Sequence, residues 1–186
     1  MTNIVIVEDK LKNAMDLAQQ FGELAEERPE LNIQVQAICL FYEDSKELEE
    51  KTSAIQAIDD ADLRDRSQLV GLYDFDDVMD QYMLNQEVPA IAIMDFLLER
   101  ATDSGARGIP TRRVNIRYAR RAEQELQDRI WFYTTSGEEN IWILEELLGS
   151  ENVLKVRVDA DRLFLLLNNT LFMTTLQDNA AMLQMV

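Results

Sequence analysis

Short apolar runs that end in acidic residues are the feature of this sequence that most limits its fold. Residues 4–7 read Ile-Val-Ile-Val and precede Glu8 and Asp9, and residues 90–94 read Ala-Ile-Ala-Ile-Met and precede Asp95. Uninterrupted runs of this length are typical of strands buried on both faces of a parallel sheet. In such sheets, ligands bind beyond the carboxyl ends of the strands. The sequence therefore predicts a carboxylate cluster, suited to a hard cation, at one sheet edge.

Two further apolar runs end in polar residues of other kinds. Residues 130–133 read Ile-Trp-Phe-Tyr and precede Thr134, and Val153 and Leu154 precede Lys155. If all four runs are parallel strands of one sheet, their carboxyl ends meet at the same edge. That edge would then hold three carboxylates, a hydroxyl and an ammonium group.

Helical patterns alternate with the predicted strands along the chain. The helices are expected near 10–27, 44–60, 74–84, 138–149 and 159–176, with one more ending at about 127. Residues 33–42 and 68–73 are two further candidate strands, and the sequence does not decide which of them lies beside the first strand. Alternation of strand and helix throughout predicts an α/β fold with a doubly wound sheet.

Composition limits the size, compartment and chemistry of the protein. A chain of 186 residues, 47% of them hydrophobic, suits a single domain spanning 1–186. The one cysteine, Cys39, lies in an apolar run and allows no internal disulfide, so we expect a core residue and a cytoplasmic protein. We also expect no targeting leader and no membrane span, because no apolar run approaches the roughly 20 residues that a bilayer requires.

The absence of histidine and the strongly acidic balance exclude whole classes of function. Without histidine, Ser-His and Cys-His nucleophiles and most zinc sites cannot form. A net charge of −17, from 35 acidic and 18 basic residues, opposes binding to the phosphate backbone of nucleic acid. We therefore expect neither a histidine-dependent hydrolase nor a nucleic-acid-binding protein.

The charges are distributed unevenly along the chain. Seven arginines lie between Arg100 and Arg121, whereas residues 43–80 carry thirteen acidic side chains and four basic ones. Each segment is interpreted either as a solvated helix face or as a docking surface. In the second interpretation, the arginines bind an acidic partner or the acidic segment of this same chain.

The order of the strand-terminal residues resembles the receiver domain of two-component response regulators. The family pattern is a strand ending in two acids, then strands ending in the phosphoacceptor aspartate, in Thr or Ser, and in lysine. In this chain the pattern is matched by Glu8 and Asp9, Asp95, Thr134 and Lys155. The resemblance covers about residues 1–176 and implies a flavodoxin-like, five-stranded parallel sheet of order 2-1-3-4-5, with expanded regions at 43–88 and 96–113.

The resemblance also implies a site and a chemistry. Glu8, Asp9 and Asp95 would bind Mg²⁺, and Asp95 would be the nucleophile that accepts a phosphoryl group. Lys155 would pair with the Asp95 carboxylate and then with a phosphoryl oxygen, while the Thr134 hydroxyl would bond another. The protein would not be an enzyme beyond self-phosphorylation and self-dephosphorylation, and its donor would be a histidine kinase or a phosphotransfer protein.

Some positions depart from the family pattern and leave two functions open. Val156 stands where the family usually has proline, and residues 151–154 lack the usual aromatic residue before the lysine. The leading hypothesis is a stand-alone response regulator that accepts a phosphoryl group on Asp95 and signals through contacts with an unidentified downstream protein. The alternative is a pseudo-receiver adaptor that binds its partner constitutively, without phosphorylation.

The last predicted helix is more apolar than one buried stripe requires. Residues 163–176 are rich in leucine and phenylalanine, so some of these side chains would be exposed in a monomer. We expect either a homodimer through the 138–176 face or packing of the short tail, residues 182–186, on this helix.

Overall fold

The computed structural model describes seven segments of the chain, and all of them belong to one compact unit that spans residues 1–156. The described residues are 2–41, 45–71, 73–84, 90–95, 114–127, 129–134 and 153–155. The predicted helices at 138–149 and 159–176, and the dimerisation face built from them, lie outside these residues. The expectation of a single domain across the whole chain therefore stays a prediction.

Six parallel strands form one sheet within the described residues. They are β1 (Thr2–Glu8), β2 (Ile33–Phe41), β3 (Ser67–Gly71), β4 (Ala90–Asp95), β5 (Ile130–Thr134) and β6 (Val153–Lys155). Their order across the sheet is β3-β2-β1-β4-β5-β6, and every neighbouring pair is parallel. The predicted α/β fold is confirmed: the five expected strands have the order 2-1-3-4-5 among themselves, and β3 is an additional strand at one edge.

The position of β2 and β3 answers the question that the sequence left open. The nine-residue strand Ile33–Phe41 lies against β1, whereas the five-residue strand Ser67–Gly71 pairs only with β2 among the described strands. Central strands are covered on both faces and edge strands are not. Accordingly Val35, Ala37 and Ile38 are buried in β2, and Val70 alone is fully buried in β3.

The helices lie between the strands along the chain. They are α1 (Leu11–Glu27), α2 (Ser45–Gln56), α3 (Ala61–Asp65), α4 (Phe75–Met83), α5 (Val114–Arg121) and α6 (Gln124–Gln127), with a 3₁₀ turn at Pro29–Leu31. The helix expected at 44–60 ends early, because Asp60 begins α3 by accepting a hydrogen bond from the Leu63 N–H at 3.0 Å. No helix in the described ranges is long and apolar enough to cross a membrane.

Alternation along the strands divides the core between the two faces of the sheet. Val5 and Val7 belong to a cluster that includes Phe75 of α4 and Tyr118 of α5. Successive strand residues point to opposite faces, so Glu8 lies on the other face. α1 lies against β1 and β2 and buries Phe21, together with Ala14, Leu17, Ala18 and Leu24.

Candidate metal centre

Four side chains at the carboxyl edge of the sheet lie at one level, on one face. Glu8 stands opposite Cys39 in the strand register, and Asp95 stands opposite Tyr133. Val7 pairs with Met94, so the residues that follow them, Glu8 and Asp95, are also level. Aligned residues of parallel strands point to the same face. The register therefore brings together residues that are as many as 125 positions apart in the sequence.

Three carboxylates meet at this edge, as the sequence predicts. Glu8, Asp9 and Asp95 are 0%, 8% and 2% exposed, and one oxygen from each lies within 4.8 Å of the others. Oxygen ligands of Mg²⁺ or Ca²⁺ lie roughly 2.0–2.6 Å from the ion, so oxygens on opposite sides of an ion are about 4–5 Å apart. The spacing therefore fits a shared divalent cation.

Four hydrogen bonds from described residues hold Glu8 in place. Its Oε1 accepts from the backbone N–H groups of Asp9 and Lys10, at 3.0 and 3.1 Å. Its Oε2 accepts from Asn13 Nδ2 at 3.1 Å and from the Tyr133 hydroxyl at 2.7 Å. An ionised carboxylate offers about four acceptor positions. The protein itself therefore fills the acceptor capacity of Glu8 and fixes its orientation.

Asp9 has the opposite character, because its buried Oδ1 has no hydrogen-bond partner among the described residues. The pKa of Asp9 is raised to about 7. Burial is the largest cause, followed by the hydrogen bond with Glu8 and the negative charges of Glu8 and Asp95. A buried carboxylate oxygen without a donor is costly unless something else compensates its charge. This buried, partnerless oxygen, on a carboxylate that lies beside those of Glu8 and Asp95, is the strongest indication of a cation site in the described structure.

The backbone carbonyl of Asp9 is anchored from the second strand and the helix that follows it. Lys51 Nζ of α2 donates to Asp9 O at 2.6 Å and forms a salt bridge with Glu47 at 2.8 Å. Cys39 Sγ donates to the same carbonyl at 3.8 Å, and burial raises the pKa of its thiol to about 11. Cys39 is thus a protonated core residue at neutral pH, as expected, and Lys51 supports the turn that presents Asp9.

Asp95 is positioned by a residue that sequence reasoning missed. Asn115, 0% exposed in the first turn of α5, donates from Nδ2 to the backbone carbonyl of Asp95, and its Oδ1 accepts from the Ile116 N–H at 2.8 Å. A buried amide requires partners of this kind. Asn115 therefore ties the start of α5 to the end of β4. A single asparagine 20 positions after Asp95 gives no sequence signal for such a contact.

Tyr133 is the second residue that sequence reasoning missed. Its ring is 1% exposed, and its hydroxyl reaches from β5 to Glu8 on β1, two strands away. Burial, and then the charge of Glu8, raises the pKa of Tyr133 far above its ordinary value, so the hydroxyl stays protonated and donates. At the end of an apolar run, a tyrosine is easily interpreted as a core residue only.

The backbone positions of Thr134 and Lys155 agree with the predicted edge. Thr134 ends β5 one residue beyond Tyr133, and it stands opposite Lys155 at the end of β6. The side chains of Thr134 and Lys155 lie outside the described part of the structure. Their predicted contacts with Asp95 or with a phosphoryl group stay predictions.

The charged helices α4 and α5 pair with each other on the opposite face of the sheet. Arg117 and Arg121 form salt bridges with Asp76 at 3.0 and 3.7 Å, and Arg121 also binds Asp80 at 3.1 Å. Tyr118 donates to Asp80 at 2.8 Å and lies under the Arg121 guanidinium. Of the interpretations left open for the arginines, pairing with the chain's own acidic segment is therefore the one observed for these two.

Comparison with known proteins adds no family assignment. A scan against protein-family models finds no match to this chain, and a search of curated proteins finds no similar sequence.

Proposed function

We propose that the chain is a receiver-like signalling protein that accepts a phosphoryl group on Asp95. The observation that carries this proposal is the buried, partnerless oxygen of Asp9, whose carboxylate lies beside that of Asp95 at the carboxyl edge of the parallel sheet. A structural role for the three acids would favour hydrogen-bonded or charge-paired oxygens. A partnerless buried oxygen instead favours a cluster built to receive a cation.

The residues fit Mg²⁺ in their chemistry and spacing. Mg²⁺ prefers one or two carboxylates together with water and phosphate oxygens. Asp9 and Asp95 would supply the carboxylates, and Glu8 would hold the edge in place through its hydrogen bonds. When bound, the ion offsets the repulsion between an anionic nucleophile and an anionic phosphoryl donor.

Each residue at this edge would then have a separate role in phosphoryl transfer. An oxygen of Asp95 attacks phosphorus in line with the bond to the leaving group, which departs with the bonding electron pair. Asn115 holds the backbone at Asp95 and so restricts the direction of attack. Lys155 and Thr134, which end the two strands beyond β4, would bind the phosphoryl oxygens.

A receiver of this kind exchanges information through protein contacts. The proposed donor is a histidine kinase or a phosphotransfer protein of the cytoplasm, and the output is a contact with a downstream protein. In the alternative, the chain is an adaptor that binds its partner whether or not Asp95 carries a phosphoryl group. The two functions differ in one property, which is whether the edge takes up a phosphoryl group or its analogue.

The experiment is a titration of the full chain with beryllofluoride and Mg²⁺, followed by amide chemical shifts. We expect saturable shifts around residues 8–9, 95 and 134, and no such shifts with Asp95→Asn. Asp80→Asn is the matched control, because Asp80 is an aspartate of α4 on the other face and should leave the response unchanged. No saturable response in the unaltered protein would reject phosphoacceptance and leave the adaptor function.

A further inference from the structure

The hydrogen bond from the Tyr133 hydroxyl to Glu8 is not part of the receiver pattern. Three of the four donors to Glu8 come from residues 9, 10 and 13, which follow it directly in the chain. The fourth donor, the Tyr133 hydroxyl, comes from β5 and approaches from the other side of Asp95. The local donors come from the turn after β1 and from α1, so among the described residues Tyr133 is the one donor that reaches Glu8 from another strand.

We propose that Tyr133 is a positioning residue that keeps Glu8 out of direct contact with the bound cation. Its hydroxyl takes the last acceptor position of Glu8, so Asp9 and Asp95 would be the carboxylates that hold the ion directly, together with water. This inference rests on the proposed function, because it concerns how the same edge holds its cation.

Burial makes this arrangement persistent. Glu8 is 0% exposed and Tyr133 is 1% exposed, so water has little access to replace the hydroxyl between them. Hydrogen bonds to an ionised acceptor are about twice as strong as neutral ones. At 2.7 Å, this bond has the length typical of a strong one, and an ion would have to displace it before binding Oε2 directly.

Removal of the hydroxyl should therefore change the coordination of the ion without removing a ligand. In Tyr133→Phe, Oε2 of Glu8 regains a free lone pair at the sheet edge and can replace a water molecule on the ion. We expect binding roughly tenfold tighter, since a charged hydrogen bond no longer competes with the ion. We also expect about one fewer water molecule on the ion.

The experiment is Mn²⁺ titration of the full chain, with water-proton relaxivity reporting the number of water molecules on the ion. Tyr118→Phe is the matched control, because Tyr118 is also a buried tyrosine that donates to a carboxylate, at 2.8 Å, away from the site. Tyr118→Phe should leave both Mn²⁺ affinity and the water number unchanged. Circular dichroism and thermal unfolding of both variants show that the proteins compared are folded.

A second variant tests the same inference if Tyr133→Phe does not fold. With Tyr133 present, Glu8→Gln should leave the water number unchanged, since Glu8 is not a direct ligand. An increase of about one water in Glu8→Gln would overturn the inference.

The outcomes separate this inference from the proposed function. Mn²⁺ binding by the unaltered protein with no change, or with weaker binding, in Tyr133→Phe would overturn the role of Tyr133 and leave the proposed function standing. No Mn²⁺ binding by the unaltered protein would overturn both.

Discussion

The carboxylates at the sheet edge and the carboxylates of α4 differ in burial and in how their charge is compensated. Asp76 and Asp80 lie at the surface, where salt bridges with Arg117 and Arg121 compensate their charge. Glu8 and Asp9 are buried, and no cationic side chain among the described residues forms a salt bridge with either.

This difference shows which acids are stabilised by charge pairing and which have a burial cost that no salt bridge among the described residues offsets. Exposed pairs contribute little each, and salt weakens them. A buried acid with a partnerless oxygen destabilises the empty protein and gains most from a cation.

Metal affinity should respond most strongly. Asp9→Asn removes the charge of the partnerless oxygen, so Mg²⁺ or Mn²⁺ affinity should fall on the order of a hundredfold or more. Isothermal calorimetry measures this loss. Asp80→Asn, which removes a salt-bridged aspartate, should bind the metal with the affinity of the unaltered protein. Equal losses of metal affinity in the two variants would contradict the proposed difference between buried and salt-bridged acids.

Stability of the metal-free protein should change in the opposite direction. The pKa of Asp9 is raised from 3.8 to about 7 in the folded state, so the unfolded chain releases this proton first as pH rises. The Asp9 contribution is thus largest below about pH 4 and is lost between about pH 4 and 7. Asp9→Asn should remove this dependence and raise the free energy of unfolding at pH 7 by about 2–4 kcal/mol.

Urea unfolding of both proteins in the presence of a chelator, at several pH values, checks this expectation. The advantage of Asp9→Asn should shrink toward pH 4. If Asp9→Asn is less stable than the unaltered protein at pH 7, the charge of Asp9 does not destabilise the metal-free fold, and this expectation is wrong.

Loss of a compensated aspartate should destabilise the protein moderately. Asp80→Ala removes the salt bridge with Arg121 and leaves the Tyr118 hydroxyl without its acceptor, so the free energy of unfolding should fall by about 1–2 kcal/mol. The loss should appear at neutral pH in chemical unfolding. A gain in stability would mean that Asp80 resembles Asp9 rather than a paired surface acid.

The smallest effect is expected at the salt bridge between Arg117 and Asp76. Arg117 is half-exposed and binds Asp76 at 3.0 Å, so Arg117→Gln should lower the free energy of unfolding by about 0.5 kcal/mol. In about 1 M salt the difference from the unaltered protein should disappear, because the Debye length is then about 3 Å. A loss of unfolding free energy above about 1.5 kcal/mol that persists in salt would mean that this salt bridge behaves as a buried one.

The strand ends could be predicted from the sequence because each depends on a local signal. An uninterrupted apolar run followed by Glu8 and Asp9, or by Asp95, shows where a buried strand ends, and parallel topology then places these ends at one edge. The predicted acid cluster followed without any knowledge of the side-chain geometry.

The hydrogen bonds by which Tyr133 and Asn115 position Glu8 and Asp95 could not be predicted, because they join residues that are distant in the chain. Tyr133 and Glu8 are 125 positions apart, and a tyrosine after Trp131 and Phe132 fits a core strand equally well. Asn115 lies 20 positions after Asp95 in the sequence, and nothing in that separation reveals their proximity. Residue type alone does not reveal a hydrogen bond that depends on strand register.

The central claim is that this edge transfers a phosphoryl group to Asp95, and intact-protein mass spectrometry tests it most directly. The full chain is incubated with acetyl phosphate and Mg²⁺, and its intact mass is measured without further treatment. A second sample is reduced with borohydride, which converts an aspartyl phosphate to homoserine with release of phosphate, so that peptide mapping identifies the modified residue. We expect one phosphoryl group on the unaltered protein and on Asp80→Asn, mapped to residue 95, and none on Asp95→Asn or without Mg²⁺. An unmodified protein that nevertheless binds Mg²⁺, or a phosphoryl group that persists in Asp95→Asn, would contradict it.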